Sequence, residues 1–326
     1  MKLPQLKYSA LLLFTIVFFT MNAQQKTNPD NQDAELGKVS WYRDYDEAIS
    51  ASKKQNKPVL ILFQEVPGCS TCRNYGHNVL SNPLMTEAIE NEFIPLAIFN
   101  NKGGSDKKIL DKYNEPTWNN PVVRIVNAKG DNIANRVASD YSAIGLYKAM
   151  IMALVNTKSE IPQYMKLLGE ELFAVNNTEE KYFKMYCFWT GEKQLGSNNG
   201  VVNTEAGFMN GIEVVKVTYN YKIISDKTLA DFGKQNSMTP ISKSNSYRAA
   251  SSDEDYYLQH SDFKYIPLSE LQRTKINSAL GMKKFAVQYL SPKQLAWYKN
   301  INSSKSNKEA LYNKPFKQSW EMLSAR

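Results

Sequence analysis

The sequence predicts two consecutive units, an α/β unit over residues 39–156 and an α+β unit of two layers over residues 178–301. Three observations carry this. The apolar run Pro58-Val-Leu-Ile-Leu-Phe63 has the length and continuity of a buried central strand, and it feeds Cys69-Ser70-Thr71-Cys72 at an expected helix start. More than a hundred residues on, a lone cysteine precedes two aromatic rings in Cys187-Phe188-Trp189, with Glu192 at the fifth position after it. Between the units, residues 157–177 mix Lys, Glu and Asn with one proline and read as a partly helical connector.

In the first unit, Asp44 caps a helix through residue 56, in which Tyr45, Ala48, Ile49 and Ser52 recur at helical spacing, and Lys57-Pro58 ends it. The strand 58–63 follows, and a helix 70–80 starts at Ser70. A helix 85–92, a strand 93–99, a helix 105–114, a hairpin over 122–137 turning at Lys129-Gly130-Asp131 and a helix 142–155 complete the order β-α-β-α-β-β-α. Cys69 then sits at a helix N-terminus, where unpaired amides and the helix dipole stabilise a thiolate and pull its pKa below the roughly 8.5 of a free thiol. Cys72 lies one turn in, close enough to close a small disulfide. The other reading of the pair is half of a structural zinc site, for which Cys187, His77 and His260 are the remaining ligand candidates.

The second unit opens with a strand over 181–187 and turns at Phe188 into a short helix to residue 195. A strand 200–208, the turn-like Gly211-Ile212-Glu213, a strand 214–219 and a helix 225–234 capped by Ser225 follow. After a Ser-rich loop, 237–252, come a helix 270–280 and another that Ser291-Pro292 starts, running to about residue 301. Residues 302–326 form a polar tail. A thiol beside aromatic rings can bind a thioether-like group and attack it; the plainer alternatives make Cys187 a buried small hydrophobe, the rings ordinary core, and Glu213 a solvated carboxylate.

Lys2 and Lys7, the apolar run 10–19 and the small residues before Gln24 have the order of a secretory signal peptide over residues 1–23. A run this short falls below the roughly 20 apolar residues of a spanning helix, although an uncleaved anchor is the other reading. An apolar fraction of 42% suffices for ordinary cores. The net charge of +8 is spread among interspersed acids and points to a solvated surface rather than a nucleic-acid groove. Three cysteines fit poorly with a structural framework of paired disulfides. Redox chemistry uses them better: one dithiol and one odd thiol.

With strand, Cys-x-x-Cys at a helix start and Asn120-Pro121 just before a strand, the first unit resembles the thioredoxin superfamily. The resemblance implies a thioredoxin-like fold in which Pro121 is cis and packs against the Cys69/Cys72 dithiol. The second unit is similar to methionine sulfoxide reductase A. Cys187-Phe188-Trp189 with Glu192 stands for Gly-Cys-Phe-Trp-Gly-x-Glu, the stretch from Gly200-Val201 through Thr204 to Gly207-Phe208 for Gly-Val-x-x-Thr-x-x-Gly-Tyr, and Glu213-Val214-Val215-Lys216-Val217-Thr218-Tyr219 for Glu-Val-Val-x-Val-x-Tyr. That similarity implies Cys187 as nucleophile, Phe188 and Trp189 as methyl-binding cage, Glu213 as the acid for the sulfoxide oxygen, Tyr247 as a second oxygen ligand, and Glu192 as a residue that orients the helix. The chain departs from the pattern at Thr190-Gly191, at Phe208 where an oxygen-binding tyrosine is expected, in a shortened loop before Glu213, and in Lys243-Ser244-Asn245-Ser246 before Tyr247.

The resulting expectation is an exported peptide-methionine (S)-S-oxide reductase with two linked thiol centres: methionine sulfoxide in proteins or peptides as substrate, Cys187 as nucleophile, and Cys69 with Cys72 as the dithiol in the same chain that recycles it, re-reduced by an external thiol reductant. The compartment implied is the bacterial periplasm, with no cofactor, metal or nucleic acid and no stable membrane association after cleavage. The alternative is a thiol–disulfide oxidoreductase whose C-terminal unit only binds clients.

Overall fold

In the computed structural model the described residues are 26–301 and 309–325. The expected signal segment 1–23 lies outside them. Among the described residues no helix is long and apolar enough to cross a membrane.

The first sheet has the order β2-β1-β3-β4, with β2 (Ile94–Phe99) parallel to the central β1 (Val59–Gln64), β3 (Val122–Val126) antiparallel to β1, and β4 (Val137–Ala138) antiparallel to β3. All six residues of β1 are buried, because helices cover both faces of the sheet. On one side Leu60 and Leu62 pack with α3 (Pro83–Glu92) and α5 (Ala143–Asn156). On the other, Val59, Ile61 and Phe63 meet α1 (Tyr45–Gln55) and α4 (Ser105–Tyr113). Alternation within one strand therefore serves two cores, which is why the run is apolar at every position. The remaining helix, α2 (Ser70–Asn78), follows β1 and carries the dithiol. The expected connector contains α6 (Gln163–Ala174), whose Tyr164, Met165 and Leu168 are part of the first unit's core.

The second sheet is antiparallel throughout, ordered β8-β5-β7-β6-β9 from β5 (Thr178–Lys184), β6 (Val201–Met209), β7 (Ile212–Asn220), β8 (Thr239–Ile241) and β9 (Arg248–Ala249). One face, with Phe183, Ala206, Val215 and Val217, is covered by α7 (Phe188–Leu195) and α8 (Asp226–Gln235). The strands β6 and β7 join through Asn210 and Gly211, both at positive φ, the requirement of a tight two-residue hairpin. This turn explains the shortened loop before Glu213, and it lets β7 begin at Ile212. Beyond α9 (Tyr256–Gln259), α10 (Glu270–Gly281) packs on α7, and α11 (Pro292–Lys299) completes a helical cluster. The expected polar tail is corrected in part. Residues 309–325 include α12 (Phe316–Ser324), anchored by Trp320 against Trp297 and by Phe316 against the first unit's core.

The two units meet through helix ends. Ser269 and Ser291 cap α10 and α11 in capping boxes whose Gln272 and Gln294 amides donate to each other at 2.8 Å in both directions, fully buried. Carboxylates of the first unit reach the same two helix starts. Glu171 of α6 accepts from the Leu271 N–H at 2.9 Å, and Glu87 of α3 from the Lys293 N–H at 2.8 Å.

Burial pushes the Glu171 carboxyl up to about 7, against the bonds from Ser269 and Leu271 that favour its charged form. A carboxyl raised on folding favours the folded state when protonated, so its contribution is complete below the unfolded value and fades as pH rises through about 7. Glu171→Gln keeps an acceptor but removes the titration. The stability lost by the parent between pH 5 and pH 8 should therefore exceed that lost by the variant in chemical denaturation, and equal losses in both proteins would refute the assignment.

Candidate active site

The dithiol is built by β1 running into a strapped turn and then α2. Cys69 is the N-cap of α2 and exposed, whereas Cys72 is buried, with the two sulfurs 3.5 Å apart and both thiols free. The Cys72 backbone N–H lowers the Cys69 thiol below its ordinary value. Burial, helped by the neighbouring Cys69, pushes Cys72 up to about 11. The pair is thus divided into an accessible, more readily ionised thiol and a protected second thiol. Asn120–Pro121 is cis, with Pro121 buried, and Asn100 at the end of β2 bonds the Asn120 side chain. A buried carboxylate that sequence reasoning missed, Glu35, accepts from the Gly68 N–H at 2.7 Å beside the motif. It comes from a short 3-10 turn, Ala34–Leu36, upstream of the expected unit, so no spacing within the motif could point to it.

The second centre lies at the N-terminus of α7, where Cys187 is the N-cap and partly exposed. Glu213 reaches it across the sheet. Its carboxylate accepts from the Phe188 N–H at 2.8 Å, the first amide of the helix that Cys187 caps. Antiparallel register pairs Phe208 directly with Glu213, so both side chains share a face, and the Phe208 ring stands edge-on to Phe188 at 5.5 Å. Cys187, Phe188, Phe208 and Glu213 are thereby gathered at one end of α7.

Trp189 is held differently from the expectation of a simple two-ring cage. Tyr256 stacks on it with centroids 4.0 Å apart and 22° between planes, a wall that sequence reasoning missed because it follows the Ser-rich loop; the one available signal was the aromatic pair Tyr256-Tyr257. Glu192 is 1% exposed, and burial, followed by the charge of Asp255, pushes its carboxyl well above the usual range. Its partner is the Asp255 N–H at 3.4 Å, and Asp255 in turn pairs with Arg273 at 3.0 Å. Glu192 therefore ties α7 to the segment that presents Tyr256. Met185 packs close against Gly191, where a Cβ would stand 2.0 Å from the Met185 sulfur.

Tyr247 corrects the expectation of a second oxygen ligand. It lies on the opposite face of the sheet, donating to Glu205 at 2.5 Å and packing edge-on to Tyr182 at 5.4 Å. The reason is steric and periodic: β9 pairs with Gly207 and Phe208, and the ring fills the space above Gly207, where a Cβ would lie 2.6 Å from Tyr247 Cε2. With phenylalanine at 208, neither expected tyrosine hydroxyl joins Glu213.

Comparison with known proteins finds partial matches. Residues 40–128 match a family model described as thioredoxin-like. Peptide methionine sulfoxide reductases MsrA of Methanococcus maripaludis strains C5 and C7 are 39% and 38% identical over 67 and 81 residues, which covers 15% and 19% of this chain and 43% and 52% of those proteins. The chain thus spans about half the length of these curated relatives. The thioredoxin-related protein DsbJ of Chlamydia pneumoniae is 27% identical over 92 residues, 28% of this chain and 24% of that protein. A solved structure of a DsbH oxidoreductase, 16% identical with a TM-score of 0.32, covers 43% of this chain and 94% of that one.

A thioredoxin-like domain followed by a second α+β domain with partial similarity to MsrA defines the class of protein.

Proposed function

We propose that the chain is an exported peptide-methionine (S)-S-oxide reductase in which Cys187 is the nucleophile and the Cys69/Cys72 dithiol of the same chain recycles it. The observation that carries this reading is the Glu213 carboxylate bonded to the first amide of α7 beside Cys187, within the Phe188 and Phe208 rings. Cys187 attacks the sulfoxide sulfur while Glu213 protonates the oxygen, leaving a thioether and a sulfenic acid on Cys187. The Cys69 thiol displaces water from that sulfenic acid. Cys72 then attacks the Cys69 sulfur, releasing Cys187 as a thiol and leaving a Cys69–Cys72 disulfide for an external thiol reductant. Signal-like residues 1–23 support export to a periplasm.

Incubation with dithiothreitol and a peptide carrying the S epimer of methionine sulfoxide tests the reaction. Reduction of that epimer is expected, at a low rate because losing one oxygen ligand alone can cost about 10²- to 10³-fold. Disulfide exchange with no sulfoxide reduction would leave a client-binding C-terminal domain instead.

The relay has its own test. The helix α2 packs chiefly on residues 34–36 and α7 on α10, β6 and β7, so transfer requires the two centres to approach from separate surroundings. Cys72→Ser removes the resolving thiol, and one turnover with sulfoxide should then accumulate a Cys69–Cys187 bond within a monomer-sized band on non-reducing peptide mapping. Bonds found only between chains would replace the relay in one chain with transfer between molecules.

A further inference from the structure

We propose that Glu65, Cys69 and Cys72 form a three-ligand site for a thiophilic cation of the Zn(II) class, open only while the dithiol is reduced. This assignment is independent of sulfoxide reduction. The ligand atoms of the three residues lie within 4.8 Å of one another, and the two sulfurs are 3.5 Å apart. Tetrahedral zinc with bonds of about 2.3 Å places two sulfurs roughly 3.8 Å apart, so closure onto an ion needs only a small adjustment. Two thiolates and one carboxylate suit a borderline-soft ion better than Mg(II) or Ca(II), which take oxygen ligands.

The turn bearing Glu65 is held rather than loose. Asn101 accepts from the Val66 N–H at 3.3 Å and donates to the Pro67 carbonyl at 3.3 Å, while Glu35 takes the Gly68 N–H. Gly68 itself lies so close that a Cβ would stand 2.3 Å from the Glu65 carbonyl oxygen and 2.8 Å from Cys72 Cβ. Those straps keep Glu65 beside the thiols. Exposed Cys69 and half-exposed Glu65 leave the fourth position to water, the pattern of an exchangeable ion. On binding, both thiols release their protons to solvent as two metal–sulfur bonds form, and no electrons move. A loaded dithiol cannot attack a disulfide, so the ion and disulfide clients compete.

The test uses the full reduced chain with Cys187→Ser, which removes the other thiol. Titration with Cd(II), a spectroscopic stand-in for Zn(II), should show one equivalent bound through the thiolate charge-transfer band, with proton release and loss of disulfide reduction that a chelator reverses. Adding Glu65→Gln should weaken binding by about tenfold or more, since even residues behind a metal's ligands typically cost 10- to 100-fold. Near-ultraviolet circular dichroism checks that the variant is folded. Adding Cys69→Ser should remove tight binding altogether. Undiminished affinity in the Glu65 variant, tight binding that survives Cys69→Ser, or no stoichiometric binding in the parent would each overturn the site.

Discussion

Cys187→Ser is expected to abolish methionine sulfoxide reduction while disulfide reduction by Cys69 and Cys72 persists. The two cysteine centres lie on different helices, each starting at its own cysteine: α2 after β1, and α7 after β5. Serine preserves the size and the N-cap position of Cys187, so α7 and its bond from Phe188 to Glu213 should survive. What is lost is the sulfur nucleophile, for which an alcohol cannot substitute in attack on a sulfoxide. Parallel assays with a sulfoxide peptide and an insulin-type disulfide measure the split, and equal loss of both activities in a folded variant would sink the division of labour.

Glu213→Gln should lower sulfoxide reduction by about 10²-fold or more, the usual range for a positioned general acid. The amide oxygen can still accept from the Phe188 N–H, so the helix start is kept while the transferable proton is removed. With Phe208 apolar and Tyr247 on the far face of the sheet, neither expected tyrosine hydroxyl is in place to share the loss. Cys187 should remain open to alkylation in this variant. Glu192→Gln serves as the comparison: it touches the Asp255 segment rather than Cys187 and should cost less. If Glu192→Gln proves the more damaging, the acid has been assigned to the wrong carboxyl.

Most of what was legible in the chain was local. The run 58–63 read as a buried strand because both of its faces are covered, and Ser225, Ser291-Pro292 and Asp44 marked helix starts that the structure retains with their caps. The resemblance to methionine sulfoxide reductase A grouped Phe188, Phe208 and Glu213 around Cys187, and the structure places them at one end of α7 through a helix start and a cross-strand pair. The tail was misread as merely polar because its anchors, Phe316 and Trp320, act only against surfaces built far upstream.

The sequence by itself determined the strands of the two sheets and the split of the dithiol into a cap and a residue one turn in, which depend on periodicity, capping and turn chemistry within short spans, while the pairing of Cys187 with Glu213 is an expectation from the resemblance to methionine sulfoxide reductase A. Only the tertiary structure decided which side chains from distant segments complete those centres. It placed Glu35 beside the dithiol, stacked Tyr256 on Trp189, and turned Tyr247 away from Cys187. Each of these depends on how a loop crosses a sheet edge and on which close-packed space a ring can fill, and such choices are made by volume and hydrogen-bond satisfaction across the whole fold rather than by residue spacing.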